Sequence, residues 1–541
     1  MCAYIVLTAM KPDVRIKIIN GKEYWYEDTP YYDKEKKQIR HTSKYLGKNI
    51  DGQPVRVRDE QMKPAGKTLN MAPKCAYTHG NLLPLQKITQ DLSLQSTLET
   101  FLSEDETDTV LALAYNRVLR PLALQNVQTW FEGSSLWLSN PDLNLAGQRL
   151  SEFLAALGKS NVPSAFMDAF TAQISPHATL LYDITSLSSS SKLLELLEYG
   201  HNRDNEGLPQ INVSLVVDKE RGIPIRYELY PGSIADTSTL KNTLLRLKQS
   251  GVEDFRLILD RGFFSQMNLA ALLDGGIPFI IPPTMQLTSV KELMSAAQKQ
   301  VVKAEYLHKF EKEAIFAMPI ALSHSYELEE EPRLLEVKGY CYYDPQREQN
   351  ERNSFYQQLH DAAEKVRNAR PRVWKRPEAV VGEIAKHFAR YLNWKFDKEQ
   401  GRFEVSLKQK AVTQRVNRMG RFILLYSGEM DWLTCLTLYR QRDAVEKCYD
   451  VMKNDLETLP LNLRTEETLR GYLFVSFLAL VLRMRLQMMM KETGLVKQYS
   501  VQKLLLELEK IKIFELSSGD MMVSEVTKKN RGILAAFDLC A

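Results

Sequence analysis

Apolar and polar residues follow two different periods in the first third of the chain. In the first ~85 residues, the stretches EYWYEDTPYYD and KQIRHTSKYLG are rich in aromatic and β-branched residues and flank a charged segment, so we predict a hairpin there. From about 88 to 172, apolar residues recur at steps of three and four, which is typical of amphipathic helices. A β-rich region followed by a helical region is therefore expected.

Residues 178–283 change to short apolar runs that alternate with amphipathic stretches. ATLLYDITSL and DFRLILDRGF are typical of buried strands, and INVSLVVDKERGIPIRYELY predicts two strands joined by a tight turn. TSTLKNTLLRLKQSG and SQMNLAALLDGG predict helices. With IPFIIPP as a last strand, the predicted order is β-β-β-α-β-α-β, which indicates an α/β sheet of mixed direction.

Residues 285–430 interrupt that order and predict an inserted, strand-containing module. KELMSAAQKQVV and NSFYQQLHDAAEKVRNA favour helices, whereas the predicted strands are RLLEVKGYCYYD, GRFEVSLKQKAV and RFILLYSG. A helix follows in DWLTCLTLYRQRDAVEKCYDVMKNDL, and a helical tail reaches about residue 515. The apolar run 472–482 has 11 residues, too few for a bilayer that needs about 20, so we expect a buried core helix and no membrane partner.

Composition is that of an ordinary globular protein. The 541 residues suffice for two to four domains, and 44% hydrophobic with 26% charged residues excludes an intrinsically disordered chain. The six cysteines are scattered, which argues against a disulfide framework or a zinc site and predicts a reducing, cytoplasmic compartment. The N-terminal stretch lacks the features of a signal peptide.

Basic residues are clustered, although the net charge is only +4. The basic residues are concentrated in three stretches, 34–74, 366–376 and 407–421. Solvated basic surface is one explanation for each of them. Three such stretches in one chain make nucleic acid a reasonable partner.

Two aspartates follow apolar runs. Asp183 comes after LLY and Asp260 after LIL, and a charge there is costly to bury unless it is paired or bound to a cation. Asp183 could instead cap its strand or accept backbone hydrogen bonds, and Asp260 could pair with Arg261 or belong to a turn. Two aspartates at the ends of buried strands in one sheet can also place both carboxylates at one edge.

The helix predicted at 438–455 supplies a third carboxylate. On one continuous α-helix, a stripe about 60° wide would contain Tyr439, Arg442, Glu446 and Lys453. The opposite side offers residues for packing, namely Ala444, Val445, Cys448 and Val451. Salt bridges between residues four apart are the ordinary explanation of such charges. They do not explain why a tyrosine and two cations share the face with the glutamate.

Three converging carboxylates suit a two-metal site. Hard oxygen ligands favour Mg²⁺, with Mn²⁺ as a substitute. Two such ions about 3.5–4 Å apart can activate an attacking oxygen and stabilise the leaving oxygen in an in-line phosphoryl displacement. In that interpretation Arg442 and Lys453 contact phosphates, and their charges keep Glu446 ionised as a metal ligand.

Several motifs resemble those of the IS-four group of bacterial DDE transposases. Residues 439–453 reproduce the signature Y-x-x-R-x-x-x-E-x-x-x-x-x-x-K, and YDITSL and LILDRGFFSQMNLAALL resemble the two aspartate motifs. The stretch LPQINVSLVVDKERGIPIRYELYPGSIADTSTL is similar to the IS-1634-like subgroup in particular. The resemblance covers residues ~178–283 and ~430–485.

The resemblance implies a ribonuclease-H-like catalytic domain with a β-containing insertion between the second aspartate and the glutamate. The helical region would bind DNA. The expected regions are a β-rich basic part (1–87), a helical DNA-binding part (88–172), the catalytic domain (173–284 and 431–490), the insertion (285–430) and a helical tail (491–541).

The same resemblance implies an activity and partners. Asp183, Asp260 and Glu446 would be catalytic and would hold two Mg²⁺ ions, while Tyr439, Arg442 and Lys453 would bind DNA. The reaction would cut the ends of a mobile element and join the 3′-hydroxyls to target DNA. The protein would act on double-stranded DNA as a dimer in the synaptic complex, in the bacterial cytoplasm at the nucleoid.

The resemblance leaves some points open. In a hairpin route an aromatic residue often stacks on a flipped base. Trp374 is the candidate and Trp394 its rival, although either could be a core residue. A domesticated protein that only binds DNA, or a nuclease that cuts without joining, would retain parts of the same pattern.

Overall fold

The computed structural model describes most of the chain, in ranges with short gaps between them. These are residues 13–19, 21–33, 38–55, 73–189, 191, 194–200, 208–234, 236–328, 331–370, 376–458, 463 and 465–540. The chain divides into two compact units, Met1–Lys74 with Glu515–Asp520, and Cys75–Phe514 with Met521–Ala541.

The first unit contains an antiparallel sheet of order β1-β2-β3-β4. Its strands are β1 (Asp13–Ile19), β2 (Lys22–Asp33), β3 (Gln38–Ile50) and β4 (Gln53–Val55). β2 and β3 pair as the predicted hairpin, with Asp33 opposite Gln38. The charged segment between them, residues 34–37, lies outside the described residues, as do residues 56–72 of the basic stretch 34–74.

Helices dominate the next hundred residues, as predicted for 88–172. After β5 (Pro73–Thr78) come α1 (Leu83–Asp91), α2 (Leu94–Glu99), α3 (Glu104–Leu119), α4 (Val127–Glu132), α5 (Leu136–Ser139), α6 (Gly147–Lys159) and α7 (Val162–Thr171). Local sequence sets the start of α3, where the Ser103 hydroxyl accepts from the Glu106 N–H while the Glu106 carboxylate accepts from the Ser103 N–H.

The predicted order β-β-β-α-β-α-β is confirmed between residues 178 and 283. It consists of β6 (Ala178–Ser188), β7 (Gln210–Asp218), β8 (Ile223–Pro231), α8 (Asp236–Gln249), β9 (Phe255–Leu259), α9 (Gln266–Asp274) and β10 (Phe279–Ile281). β6 runs antiparallel to β7 but parallel to β9, which is parallel to β10. The sheet is therefore of mixed direction.

Residues 285–430 contribute to two different cores. They form α10 (Thr288–Gln300), β11 (Leu307–Phe310), β12 (Glu313–Leu328), β13 (Glu331–Tyr343), α11 (Pro345–Asn368), α12 (Pro377–Ala385), β14 (Leu392–Asp397), β15 (Arg402–Leu407), α13 (Gln409–Val416) and β16 (Arg421–Tyr426). Four of these strands extend the main sheet, which has the order β11-β12-β13-β16-β10-β9-β6-β7-β8. The elements between α11 and α13 enclose a second apolar core that includes Phe355, Leu359, Phe403 and Met419.

Several elements of this region were not predicted, namely β11, the long strand β12, α12 and β14. The stretch predicted as a strand at 401–412 ends at Leu407, and α13 follows because Val412 and Val416, four residues apart, bury one face of a helix.

The C-terminal part begins with α14 (Trp432–Arg440), α15 (Asp443–Asp450) and α16 (Glu466–Glu492), followed by α17 (Val501–Leu508), β17 (Lys512–Leu516), β18 (Met521–Val523) and α18 (Lys528–Ala536). The tail therefore contains two short strands and is not wholly helical as predicted. The sequence analysis excluded a membrane span because the apolar run 472–482 has only 11 residues, and that argument was wrong. The helix α16 extends beyond this run, and its 27 residues could cross a membrane by length and composition. Inside the protein, 78% of its most apolar window is buried, which confirms a core helix.

Helix α6 crosses α16 with backbone in contact. A Cβ atom on Gly471 would lie 2.0 Å from the Leu154 carbonyl oxygen, and one on Gly158 would lie 1.8 Å from that of Glu467. Glycine is required at both positions because any side chain would force the helices apart. This contact joins the N-terminal helices to the helix that follows the glutamate of the predicted site.

Candidate active site

The guanidinium of Arg442 lies at the centre of the three predicted carboxylates. Its Nη2 is 2.6 Å from Glu446 Oε1, and its Nη1 is 3.8 Å from both Asp183 Oδ2 and Asp260 Oδ1. Asp183 lies in β6, Asp260 directly follows β9, and Glu446 lies in α15. The fold therefore brings together three acids that are far apart in the sequence.

The two aspartates are adjacent because their strands are parallel neighbours. Tyr182 of β6 is paired with Leu259 of β9, so the following residues, Asp183 and Asp260, lie side by side. Asp260 follows the end of β9, as predicted. The prediction that Asp183 also ends a strand is wrong, because β6 continues to Ser188 and pairs with β7 along this length. Only β9 ends here.

The segment from Tyr439 to Lys453 is not one α-helix, so the single stripe predicted for its four residues is wrong. α14 ends at Arg440, α15 begins at Asp443, and Lys453 lies in a π-helical turn, Val451–Asp455. Arg442 is at the junction of the two helices. Its Cζ is 6.0 Å from the centre of the Tyr439 ring. Tyr439, Arg442 and Glu446 are still brought together, and the half-buried Lys453 lies one to two turns further along.

The opposite side of α15 packs into the main core, as predicted. Val445 and Cys448 are fully buried and Val451 nearly so. Tyr449, which the sequence analysis did not single out, adds a polar anchor: its hydroxyl lies 2.6 Å from the carbonyl oxygen of Asp183 and 3.2 Å from that of Val213. In the sequence, the signal for this contact was a tyrosine three residues after Glu446 and next to Cys448, on the side of the helix predicted to pack. It ties the helix that bears Glu446 to the strand that bears Asp183.

The electrostatics of the site centre on Arg442. Burial lowers the pKa of Arg442, but Asp260, Tyr439, Glu446 and Asp183 together raise it above its ordinary value. Burial, and then the Asp260 charge, raise the pKa of Tyr439 against the opposing effect of Arg442, so the phenol stays neutral at physiological pH. Three carboxylates share the guanidinium of Arg442, so this one positive charge cannot balance all three of them.

The carboxylates suit a divalent cation by chemistry. In the described part of the chain, no three acidic, histidine or cysteine side chains are grouped closely enough to hold a metal ion as they are placed. Arg442 itself occupies the position of a cation between Asp183, Asp260 and Glu446. Oxygen donors that converge on one positive charge are the ligand set that Mg²⁺ and Mn²⁺ prefer.

The two tryptophans considered for base stacking have different outcomes. Trp374 lies outside the described residues, so its role stays a prediction. Trp394, on β14, packs edge-on against Phe403 with ring centres 5.9 Å apart, in the second core.

Comparison with known proteins gives a family match. The model of the family described as "Transposase DDE domain" matches residues 166–482, a stretch that contains all three carboxylates. No curated protein matches the chain. Among solved structures, the piggyBac transposase synaptic complex with hairpin DNA, a cryo-EM structure, is similar with a TM-score of 0.36 and 10% sequence identity, over 79% of each chain.

Proposed function

The chain belongs to the Transposase DDE domain family and is a DNA-cutting transposase with a ribonuclease-H-like core; from this premise we propose that Asp183, Asp260 and Glu446 are its catalytic carboxylates. The observation that carries the proposal is their convergence on Arg442 from three separate elements. Neighbouring carboxylates repel one another, and one arginine cannot neutralise three of them.

The same residues would hold the divalent metal ions that DDE transposases generally use. We propose two Mg²⁺ ions, with Mn²⁺ as a substitute, bound by Asp183, Asp260 and Glu446. When bound, such ions activate the attacking oxygen and neutralise the charge that develops on the phosphate.

The remaining residues of the site bind and orient the DNA. Arg442 has a planar guanidinium that can form two parallel hydrogen bonds to a phosphate, and Lys453 adds a positive charge one to two turns away. The neutral Tyr439 hydroxyl can donate a hydrogen bond to the same backbone. In the protein without DNA, Arg442 holds the three carboxylates together.

The proposed reaction is cut-and-paste transposition of an insertion sequence. The protein would bind double-stranded element ends, cleave them and join the 3′-hydroxyls to target DNA. If Trp374 stacks on a flipped base, the cleavage would proceed through a hairpin intermediate. The motifs support membership of the IS-four group and its IS-1634-like subgroup. The helical region 88–172 and the basic stretch 34–74 would recognise the ends, and a dimer would hold two ends in the bacterial cytoplasm at the nucleoid.

The test replaces each acid by its amide, in Asp183→Asn, Asp260→Asn and Glu446→Gln. We expect each variant to lose end cleavage and joining in Mg²⁺, to retain end binding in a mobility-shift assay, and to bind Mn²⁺ more weakly in calorimetry.

Asp443→Asn is the matched control, because Asp443 is an exposed acid in the same first turn as Glu446. It should cut and join like the wild type. If an amide variant of one of the three carboxylates cleaves at the wild-type rate, that residue is not part of the catalytic site. Cleavage without joining in the wild-type protein would identify a nuclease.

A further inference from the structure

A large cavity adjoins the candidate active site on the side of Asp260. Its volume is about 860 Å³, and Asp260 and Tyr439 belong to its lining. The rest of the lining comes from Arg261, from residues 282, 283 and 285, from α10, from β16 of the main sheet, and from elements of residues 345–419, including α11 and α13. The module inserted between the second aspartate and the glutamate therefore forms one side of a space that reaches the carboxylates.

Arginine dominates the lining. Six arginines contribute to it, namely Arg261, Arg347, Arg390, Arg415, Arg418 and Arg421, against two carboxylates, Asp260 and Glu351. We call this space the arginine cavity. These residues come from separate segments of the chain that the fold brings around one opening.

Most of this positive charge is not balanced by protein groups. Arg347 pairs with Glu351 at 2.8 Å, and Arg421 donates to the backbone carbonyl oxygens of Gln298 and Met419. Within the described ranges, Arg261, Arg390, Arg415 and Arg418 form no ion pair, and all four are exposed. Unbalanced guanidinium groups around a cavity attract an anion with several charges.

From these observations we propose that the arginine cavity binds the sugar-phosphate backbone of a single DNA strand beside the cleavage site, with Arg415 and Arg418 as the main phosphate contacts. The inference rests on the proposed function in one respect, that Asp260 belongs to the cutting site. Guanidinium groups match phosphate oxygens in pairs. A positively charged groove of this kind follows a strand through its backbone, without regard to base sequence.

The position of Arg415 and Arg418 explains why they are assigned this role. They lie at the end of α13 and just after it, three residues apart, and both are exposed and line the same cavity as Asp260. Phosphates of a strand that leaves the carboxylates through the cavity would pass both. A free nucleotide or inorganic phosphate shares this chemistry and is distinguished by experiment.

The test compares two double variants that remove the same charge from the same module. Arg415→Gln/Arg418→Gln alters the cavity. Arg402→Gln/Lys410→Gln is the control, because both residues are exposed, Lys410 belongs to α13, and neither lines the cavity. Thermal melting of both proteins checks that each is folded.

The probe is a fluorescently labelled single-stranded DNA of mixed sequence, about 20 nucleotides long, measured by anisotropy across a range of salt concentrations without metal. We expect the cavity variant to bind about tenfold more weakly and the slope of log affinity against log salt to fall by about 1.4, since each phosphate contact on a single strand contributes about 0.7. The control should stay within about twofold of the wild type.

Two results overturn the proposal. One is wild-type affinity and salt slope in the cavity variant. The other is displacement of the probe by ATP or inorganic phosphate as effective as by unlabelled DNA, with no dependence on oligonucleotide length, which would show a small-anion site.

Failure of this inference is distinguishable from failure of the proposed function, because strand binding without metal does not require cleavage. If the amide variants of the three carboxylates cut normally while the cavity variant binds DNA weakly, the strand site stands and the carboxylate assignment fails. If the carboxylate assignment holds while the cavity variant binds like the wild type, the strand site fails.

Discussion

Two arginines in this protein are surrounded by acids, and the difference between them separates structure from function. Arg226, on β8, is 1% exposed; it lies 2.7 Å from Asp168 Oδ1 and 2.9 Å from Glu228 Oε1, and it also donates to Ser250 Oγ. Arg442 is 16% exposed, with one contact at 2.6 Å and two at 3.8 Å.

The Arg226 network is closed and short. Ser250 also donates to Asp168, at 2.8 Å, so α7, β8 and α8 are joined by one set of hydrogen bonds. The Arg442 cluster has an extra carboxylate, longer distances and a cavity beside it. A charged side chain that only holds elements together has short contacts to all the partners it needs within the protein. Charged side chains of a binding site keep part of their charge without a partner at short distance until the ligand binds.

The largest effect on stability should come from the closed network. In Arg226→Met, the charge and its hydrogen bonds are lost, while the remaining Asp168 and Glu228 are 44% and 20% exposed and can be partly solvated, so we expect the free energy of unfolding to fall by about 2 kcal/mol. Chemical denaturation measures this change. Arg246→Met, which removes an exposed arginine from α8, should change it by less than about 0.5 kcal/mol. Equal stability of the two variants would remove the distinction between the arginines.

The opposite balance is expected at Arg442. Arg442→Gln should change the free energy of unfolding by about 1 kcal/mol or less, since Asp260 and Glu446 are 41% and 52% exposed. DNA cleavage should fall about a hundredfold because a phosphate contact is lost. Mn²⁺ should bind more tightly, because the guanidinium no longer competes for the carboxylates.

The Arg442→Lys variant provides the control for that experiment. Lysine keeps the positive charge but lacks the planar guanidinium that forms two parallel hydrogen bonds to a phosphate. Cleavage should therefore recover only in part, while Mn²⁺ affinity returns towards the wild-type value. Calorimetry with Mn²⁺ alone tests this. Unchanged Mn²⁺ affinity in Arg442→Gln would show that Arg442 does not occupy the position of the metal ions.

Part of this site could be predicted from sequence because it depends on local pattern. The order of strands and helices in 178–283 followed from periodicity, and Asp260 was recognisable as the residue after an apolar run. Asp183 was misplaced because its strand continues through the polar stretch ITSLS, which pairs with β7 through backbone hydrogen bonds. No glycine or proline marks the break between α14 and α15, so tertiary packing sets it.

The arginine cavity could not be predicted for a different reason. Its arginines are spread from Arg261 to Arg421, and only the fold places them around one space. The sequence analysis identified 407–421 as basic, yet it could not separate Arg415 and Arg418, which line the cavity, from Lys410, which does not. Long-range contacts of this kind leave no local period.

The smallest effect is expected at Tyr449, which connects the structural and the functional parts of the site. In Tyr449→Phe, the hydrogen bond to the Asp183 carbonyl is lost, and the free energy of unfolding should fall by about 1 kcal/mol. Because α15 then holds Glu446 less firmly against β6, Mn²⁺ affinity and cleavage should both fall by about threefold to tenfold. Tyr356→Phe, at a 45% exposed tyrosine, should change none of these quantities. A loss of stability with unchanged Mn²⁺ affinity would make Tyr449 a purely structural residue, because a hydroxyl that positions Glu446 has to alter how the carboxylates bind a cation.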